Sequence, residues 1–354
     1  MKAISLFSGC GGDTLGLERA GFEVVAFSEF NKAAIATHVQ NFPNSEHIID
    51  TKSRLSDITK IPNEVFQKYK GADVMFAGFP CQGFSRAGKK KNDDPRNQMF
   101  HQFVRATSQI KPRFIIGENV TGLVSMKSGP NEEDPLMLDI IRQSFRQIGY
   151  ELTYKVLEGV DYGVPQKRKR ILIVGWDTAR VNFDPASFWA SVSAFGAAKT
   201  MPVQRSFVKA SLDGALLLTP NLIPEGFTTY ALPVPNEAVV EGTPHPFVTL
   251  KATERLLSCS KRDSPVHSEI INLDAPSKTI ICTYDHQPRL LVGLRKPNGH
   301  CYVRTLYPNE LKQIQGFPAD FVITGNLKEQ ITQIGNAVPP ALVEAIASTL
   351  KALY

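Results

Sequence analysis

Short hydrophobic runs alternate with stretches of helical periodicity over the first half of the chain. The hydrophobic runs predict strands at 3–7, 22–27, 74–77, 114–117, 151–157 and 171–174, and the periodic stretches predict helices near 13–20, 31–41, 97–110 and 134–148. Asp13 is the expected N-cap of the first helix, and Gly21 is expected to end it. This alternation is typical of βαβ units, so the predicted fold is α/β, with a mostly parallel sheet and helices on both faces.

The pattern changes after Trp176. Residues 177–300 are rich in proline and threonine and have few helical periods, which predicts a smaller, irregular, separate domain. Regular structure resumes with a helix near 308–316 and ends with an apolar-periodic helix at 340–352. The predicted divisions are a first domain at 1–176, a second at 177–300, a hinge segment at 301–330 and a C-terminal helix at 331–354.

Composition excludes several classes of protein. Hydrophobic residues make up 42% of the chain and charged residues 21%, which are ordinary values for a soluble globular protein. The longest apolar runs are too short to span a bilayer and the first residues lack a signal peptide, so we expect a cytoplasmic protein with no membrane partner. The five cysteines are scattered and contain no CxxC pair, which argues against a disulfide framework and against a zinc site.

Positive charge is concentrated in two places, although the net charge is only +6. Residues 86–91 include four basic side chains, and residues 167–170 are four basic side chains in a row. Clustered basic charge is typical of a nucleic-acid binder, but a solvated surface has the same composition.

Reactive side chains follow the predicted strands. Cys81 comes after strand 74–77 on a Gly-Phe-Pro turn, Glu118 ends the next strand, and alternation places Arg168 and Arg170 on one face of a later strand. Ligands of parallel α/β sheets bind beyond the carboxyl ends of the strands, so we expect these groups in one crevice. Together a thiol, a carboxylate and two guanidiniums suit covalent catalysis on an electron-poor ring, whereas a lone cysteine is usually an inert core residue.

The glycine-rich loop at 7–12 joins the first predicted strand to the first helix, where backbone N–H groups can approach a ligand closely. Thr14 occupies the position of the last glycine in a dinucleotide fingerprint, and no P-loop lysine follows. Glu29 is at the position from which an acid binds ribose hydroxyls, or is a solvated charge at a strand end. Phe30 can stack on an adenine or simply pack at the start of a helix, and Asp57 can meet a base edge or simply cap a helix. The loop therefore favours a nucleoside ligand without a pyrophosphate.

Six segments in this order resemble the DNA (cytosine-5)-methyltransferases, which use S-adenosylmethionine. They cover 1–176 and roughly 302–350 and are Phe7-Ser8-Gly9-Cys10-Gly11-Gly12, Gly78-Phe79-Pro80-Cys81-Gln82, Glu118-Asn119-Val120, Gln166-x-Arg168-x-Arg170, Gln315-Gly316-Phe317-Pro318 and Gly335-Asn336-Ala337-Val338-Pro339. The resemblance implies a Rossmann-like catalytic and cofactor-binding domain, a target-recognition domain at 177–300, and a C-terminal helix that returns to the catalytic domain. Tyr307 departs from the family's usual threonine and Gln313 from a common arginine, which affects the scaffold and leaves the chemistry intact.

The same resemblance implies residue roles. Cys81 would attack C6 of a flipped cytosine, Glu118 would contact N3 and the amino group, and Arg168 and Arg170 would hold O2 and orient Glu118. The residues implied to bind the cofactor are Phe7, Ser8, Gly9, Cys10, Gly11, Gly12, Glu29, Phe30, Asp57, Ile58, Pro80, Met99, Asn336 and Val338. The predicted DNA contacts are Ser85, Arg86, Lys89, Lys91, Arg96, Arg255, Arg262 and Arg289, with Lys251, Lys261 and Arg295 as further candidates.

The expected partner is duplex DNA, bound by a monomer that needs no metal and that belongs to a restriction-modification system. S-adenosylhomocysteine would be the second product. Two alternatives stay open at this point: a tRNA cytosine-5 methyltransferase of the same fold, and a catalytically silent DNA-binding regulator. An NAD-dependent oxidoreductase is disfavoured by Thr14 and by the lack of a histidine suited to hydride transfer.

We predict that the stretch at 85–96, which contains glycine and is rich in lysine, closes over the flipped base only when DNA binds. Limited proteolysis with a lysine-specific protease should cut this stretch readily in the free protein and slowly in the presence of cognate duplex. Equal cleavage with cognate duplex, with non-cognate duplex and without DNA would contradict the prediction.

Overall fold

The structure is a computed structural model that describes residues 1–50, 53–54, 56–80, 99–129, 131–202, 204–246, 250–253, 256–258 and 268–354. Two compact units are present. The first consists of Met1–Tyr162, Lys169–Lys199 and Ala337–Tyr354, and the second of Gly163–Arg168 and Thr200–Asn336. No helix in these described ranges is long and apolar enough to cross a membrane.

Strands and helices alternate through the first unit, and short strands dominate the second. In chain order the strands are β1 (Lys2–Leu6), β2 (Glu23–Ser28), β3 (Glu46–His47), β4 (Val74–Ala77), β5 (Phe114–Asn119), β6 (Tyr150–Glu158), β7 (Lys169–Asp177), β8 (Leu216–Leu217), β9 (Leu232–Pro233), β10 (Lys251–Thr253), β11 (Leu256–Ser258), β12 (Glu269–Ile270), β13 (Leu290–Arg295) and β14 (Cys301–Thr305). The helices are α1 (Gly12–Arg19), α2 (Lys32–Asn41), α3 (Asn63–Gln67), α4 (Phe100–Ile110), α5 (Met137–Arg146), α6 (Pro185–Ala197), α7 (Phe227–Tyr230), α8 (Pro308–Ile314), α9 (Leu327–Asn336) and α10 (Pro340–Lys351).

The sheet of the first unit has the strand order β3-β2-β1-β4-β5-β7-β6. Pairs from β3 to β5 are parallel, while β7 runs antiparallel to both β5 and β6. Every residue of β4 and β5 is buried, as expected for central strands covered on both faces. One face packs against α3, α4 and α5, and the other against α1, α6 and α10. The predicted α/β class with a mostly parallel sheet is confirmed.

The first helix begins differently from the prediction. Gly11, with φ of 89°, is the N-cap, because glycine adopts this left-handed conformation without a steric penalty. Asp13 lies inside the first turn and is 2% exposed, so its prediction as the N-cap was wrong. Gly16 packs against α10: a Cβ at this position would lie 2.5 Å from the Pro340 carbonyl oxygen.

Helix α6 was missed by the sequence pattern, which predicted few helical periods after Trp176. Asp184 caps this helix by accepting hydrogen bonds from the N–H groups of Ala186 and Ser187. Phe188 and Val192, four residues apart, are buried against the sheet. The first unit therefore continues to Lys199, beyond the boundary expected at 176.

The second unit contains a sheet in the order β10-β11-β12-β13-β14-β8, with β9 paired to β13. On β14 of this sheet, Arg304 forms a bidentate ion pair with Glu310, and both hydrogen bonds are 2.8 Å long. The two side chains are 0% and 1% exposed. Glu310 also accepts from the N–H of Tyr307 at 2.8 Å, so the start of α8 is capped although the usual threonine is replaced.

We expect Arg304→Met to lower the free energy of unfolding by about 3–5 kcal/mol, because it leaves Glu310 buried without its countercharge. Urea denaturation of the full chain would measure the loss. The matched control is Arg205→Met, which breaks a mostly exposed pair with Asp274 in the same unit and should cost about 1 kcal/mol or less. Equal losses for the two variants would show that burial does not control the effect.

Candidate active site

Three strands of the first unit, β1, β2 and β4, end in one hydrogen-bonded row that also includes Gly117 of β5. Leu6 pairs with both Ser28 and Ala77, and Ala77 pairs with Gly117. The residues immediately beyond this row are Phe7, Glu29, Gly78 and Glu118. Phe7, Gly78 and Glu118 begin three of the predicted functional segments, and Glu29 is a predicted ribose contact. The sheet register therefore brings these four positions to one edge.

The carboxylate of Glu29 holds the glycine-rich loop. Its Oε2 accepts from the N–H of Gly9 at 2.9 Å, and its Oε1 accepts from the N–H groups of Phe30 and Asn31, each at 2.8 Å. Gly9 has φ of 54°, and a Cβ there would meet no atom within 4 Å, so the loop leaves open space at this point. The Glu29 carboxylate therefore lies beside a part of the loop whose backbone is not covered by side chains.

Three further candidates for the cofactor pocket lie in different environments. The ring of Phe30 is 71% exposed, which is unusual for a phenylalanine and leaves its face available for stacking. Ile58 is buried, and Asp57 accepts hydrogen bonds from the backbone and the hydroxyl of Thr59 at 3.0 and 2.7 Å. Asp57 thus caps the 3₁₀ turn Ile58–Lys60, in line with the plainer of the two interpretations considered for it.

The chain that leads to Cys81 is fixed up to its last described residue, Pro80. The side-chain Nδ2 of Asn119 donates to the Phe79 carbonyl at 3.1 Å, and the side-chain Oδ1 accepts from the N–H of Val120 at 2.8 Å. Sequence reasoning quoted Asn119 within its motif but gave it no role. The buried amide ties the segment after β4 to the end of β5, where Glu118 lies.

Glu118 and Arg170 form an ion pair in the first unit, with Nε and Oε1 2.8 Å apart. Glu118 opposes Leu172 in the β5–β7 register, so Arg170, two residues earlier on β7, lies on the same face. Only 11% and 15% of the two side chains are exposed. Burial lowers the pKa of Arg170 from its usual value while the Glu118 carboxylate raises it, so the guanidinium stays charged and fixes the carboxylate.

Arg168 lies in the second unit and makes different contacts. Its guanidinium donates to the carbonyl oxygens of Ile280 and Gly335 at 3.1 and 2.9 Å, and the residue is 1% exposed. The side chain of Gln166 likewise bonds within this unit, to the N–H of Ile280 and to Gln315. Strand β7 begins only at Lys169, so the expected alternation of Arg168 and Arg170 on one strand face does not occur.

Cys10 lies in the glycine-rich loop and is buried. Burial, and after it the charge of Asp13, raise the pKa of the Cys10 thiol to about 12. A thiol in this state is not a nucleophile near neutral pH, because the thiolate is the reactive form. Cys10 is therefore not a competing candidate for the covalent step.

The remaining predicted residues fall into two groups. Met99 and Arg289 are half-buried, Val338 is 8% exposed in the first unit, and Asn336 is exposed in the second. The predictions that lie outside the described residues are Cys81, Ser85, Arg86, Lys89, Lys91, Arg96, Arg255, Lys261 and Arg262. Within the described residues, no group of three or more histidine, cysteine, aspartate or glutamate side chains is arranged to bind a metal.

Comparison with known proteins gives one consistent result. A family model described as C-5 cytosine-specific DNA methylase matches residues 1–214 and 243–352. The chain is 31% identical over 353 residues to the Type II methyltransferase M1.HphI of Haemophilus parahaemolyticus, covering 98% of this chain and 86% of the relative. It is 30% identical over 372 residues to the Type II methyltransferase M.NgoPII of Neisseria gonorrhoeae, covering 99% and 95%.

A solved structure shares the fold. The S. pombe Dnmt2 methyltransferase aligns over 100% of this chain and 98% of its own, with a TM-score of 0.64 and 15% sequence identity. At this identity the likeness concerns the arrangement of strands and helices, which agrees with the sheet described above.

We predict that Asp13 makes stability depend on pH. Burial raises the pKa of its carboxyl to about 7, although the Ser5 hydroxyl and backbone N–H groups donate to it. Because this pKa lies above that of the unfolded chain, the contribution of the neutral carboxyl is fully present below about pH 4 and is lost as the pH rises through about 7. Between about pH 5.5 and about pH 8, the unfolding free energy of the wild type should fall by about 2 kcal/mol relative to Asp13→Asn.

Chemical denaturation of both proteins at several pH values would measure this difference. Asp139→Asn removes an exposed carboxylate from α5 and serves as the control, which should stay parallel to the wild type. Parallel curves for wild type and Asp13→Asn would overturn the assignment of a neutral, buried carboxyl.

Proposed function

The chain belongs to the C-5 cytosine-specific DNA methylase family, as its motifs predicted, and we propose that it methylates C5 of a flipped cytosine in duplex DNA through a covalent Cys81 adduct. The observation that supports this most directly is the Glu118–Arg170 pair, because Glu118 follows Gly117, the residue that pairs with Ala77 at the end of β4. Only three residues separate Ala77 from Cys81. A carboxylate held by a guanidinium therefore lies beside the strand end from which the chain continues toward Cys81.

The residues at this edge fit S-adenosylmethionine. Glu29 offers a carboxylate to ribose hydroxyls, Phe30 an exposed ring to adenine, and Gly9 an unobstructed backbone. The other proposed contacts are Phe7, Ser8, Cys10, Gly11, Gly12, Asp57, Ile58, Pro80, Met99, Asn336 and Val338. When bound, S-adenosylmethionine supplies the methyl group on an electrophilic sulfonium. We propose that no metal takes part.

Cys81 provides the nucleophile. Its thiolate adds to C6 of the cytosine, which makes C5 electron-rich enough to accept the methyl group. C5 then loses its proton to solvent and the C6–S bond breaks, which returns the thiolate and leaves 5-methylcytosine. Because attack requires access to the face of the ring, the base must leave the helical stack, at a cost of a few kcal/mol.

Glu118 and Arg170 orient the ring during this addition. A carboxyl group at N3 and the exocyclic amino group stabilises the charge that develops on the ring as sulfur adds. Arg170 fixes that carboxyl through its 2.8 Å contact, and binding of O2 is the second role that we propose for it. We propose instead that Arg168 is a positioning residue. Its guanidinium holds the carbonyls of Ile280 and Gly335, and Gly335 precedes the proposed cofactor contact Asn336 in the chain.

The second unit is the proposed reader of the DNA sequence. Its short strands and connecting segments include Arg289 and Arg295, and the basic stretch at 85–96 would grip phosphates. The relatives named above are Type II methyltransferases, which favours a part in a restriction-modification system. We propose a monomer that acts on DNA in the cytoplasm.

The covalent step is tested with 5-fluorocytosine duplex, which blocks loss of the C5 proton and traps the adduct. The wild type should form a denaturation-resistant complex when S-adenosylmethionine is present, and Cys81→Ala should form none. Glu118→Gln should form it more slowly, by about 10² to 10⁴-fold, as expected when a group that assists proton and charge movement is lost. The matched control is Cys301→Ser, at a cysteine of β14 whose Sγ donates to the Gly299 carbonyl, and it should trap like the wild type.

The same preparation distinguishes the alternatives. Labelled methyl transfer to tRNA and not to duplex DNA would identify a tRNA enzyme. Specific DNA binding with neither transfer nor trapping would identify a silent regulator.

A further inference from the structure

Arg105 is the residue that connects α4 to the segment containing Asp57 and Ile58. Its Nη2 donates to the Ile58 carbonyl at 2.6 Å and its Nη1 donates to the Ile61 carbonyl at 2.9 Å. The Asn63 side chain accepts a further hydrogen bond from Nη1 at 2.8 Å. One guanidinium thus holds three oxygens across six residues of chain, 58–63.

That segment has little regular structure of its own. It contains the single 3₁₀ turn Ile58–Lys60 and ends at Asn63, the first residue of the five-residue helix α3. A turn of this length fixes its backbone weakly, because few hydrogen bonds offset the loss of conformational entropy. The position of Ile58, which is proposed to contact adenine, therefore depends on the donors that Arg105 supplies.

Arg105 is itself well placed to act as a fixed point. The face of α4 that contains Phe103 is buried in the core, where the Phe103 ring lies 6.1 Å from Phe79 and 5.0 Å from Phe145. The Arg105 guanidinium lies 5.0 Å from the centre of the Phe66 ring in α3. Phe79 precedes Cys81 by two residues, so one helix contacts both the catalytic segment and the proposed adenine pocket.

The contacts require the shape of arginine as well as its charge. Within the described part of the chain Arg105 forms no ion pair, and its partners are the neutral oxygens of Gln102, Ile58, Ile61 and Asn63. A planar fork can reach several oxygens at once, whereas a lysine ammonium is a compact donor on a flexible stem. Lysine would therefore keep the charge and lose the bridge.

We propose that Arg105 is a positioning residue for cofactor binding, which holds Ile58 and its neighbours in the geometry that receives the adenine ring. This inference rests on the proposed function, because it takes the segment at 57–58 as part of the S-adenosylmethionine pocket. It adds a residue that makes no direct contact with the cofactor and that governs affinity for it.

The experiment measures binding of S-adenosylhomocysteine to the full chain by isothermal titration calorimetry. Arg105→Lys should bind about tenfold more weakly or worse, the factor expected when a charge-assisted hydrogen bond is lost, with an unchanged number of sites. In steady-state assays its KM for S-adenosylmethionine should rise while kcat and the KM for DNA stay near the wild-type values. The matched control is Arg146→Lys. It weakens the exposed bidentate pair between Arg146, at the end of α5, and Glu151 on β6, and it should change none of these quantities.

The outcomes separate the two levels of the proposal. A purely structural part for Arg105 would lower the number of binding-competent molecules and leave Kd unchanged, which overturns the inference. Equal Kd and equal site number in Arg105→Lys and wild type would overturn it as well, while the proposed function stands. A wild-type chain that binds no S-adenosylhomocysteine would contradict the proposed function itself. Arg105→Met, which keeps the apolar stem, checks that a Kd effect in the lysine variant does not come from the ammonium.

Discussion

The hydrogen-bonded register of β1, β4 and β5 is the constraint on which the candidate site depends. Leu6, Ala77 and Gly117 share one row, so Phe7, Gly78 and Glu118 follow at the same level of the sheet. Side chains alternate between the two faces of a strand, and a slip of one residue between β4 and β5 would turn Glu118 to the opposite face. The completely buried sequences of these strands prevent such a slip, because they pack against helices on both sides. Apolar packing therefore determines where the charged groups lie.

Much of this sheet could be predicted from the sequence, and the failures have identifiable causes. β4 was predicted with its observed bounds, since a hydrophobic run ended by glycine and proline has one natural boundary. The direction of β7 could not be predicted, because an apolar run looks the same in a parallel and an antiparallel pair. Asp13 was assigned to the N-cap by residue type, but Gly11 can adopt the required left-handed backbone and Asp13 is drawn inward to Ser5. The location of Glu118 followed from the strand pattern, whereas its 2.8 Å contact with Arg170 depends on a long-range pairing.

Two buried arginines, Arg168 and Arg304, and the partly buried Arg170 show how the same side chain serves different purposes. Arg170 meets one carboxylate, Arg304 meets another along both of its oxygens, and Arg168 meets backbone carbonyls. Removing a guanidinium from water is costly unless its donors are satisfied, so each of these sites had to be built with matching acceptors. Sequence spacing placed Arg168 and Arg170 together as a pair, but spacing does not show which acceptors surround each one. The division of the motif between the two compact units follows from those acceptors.

The packing of α1 against α10 affects how the chain is made. These two helices come from opposite ends of the sequence, and the residues of the second unit are almost all synthesised between them. Ribosomes add about 5–20 residues per second, so the face of the sheet that α10 covers stays open for on the order of ten seconds after the rest of the first unit has emerged. During that interval a nascent chain presents an apolar surface with no partner of its own, at the stage where chaperone binding and misassembly compete with folding. Folding of the first unit is thus tied to the synthesis of α10.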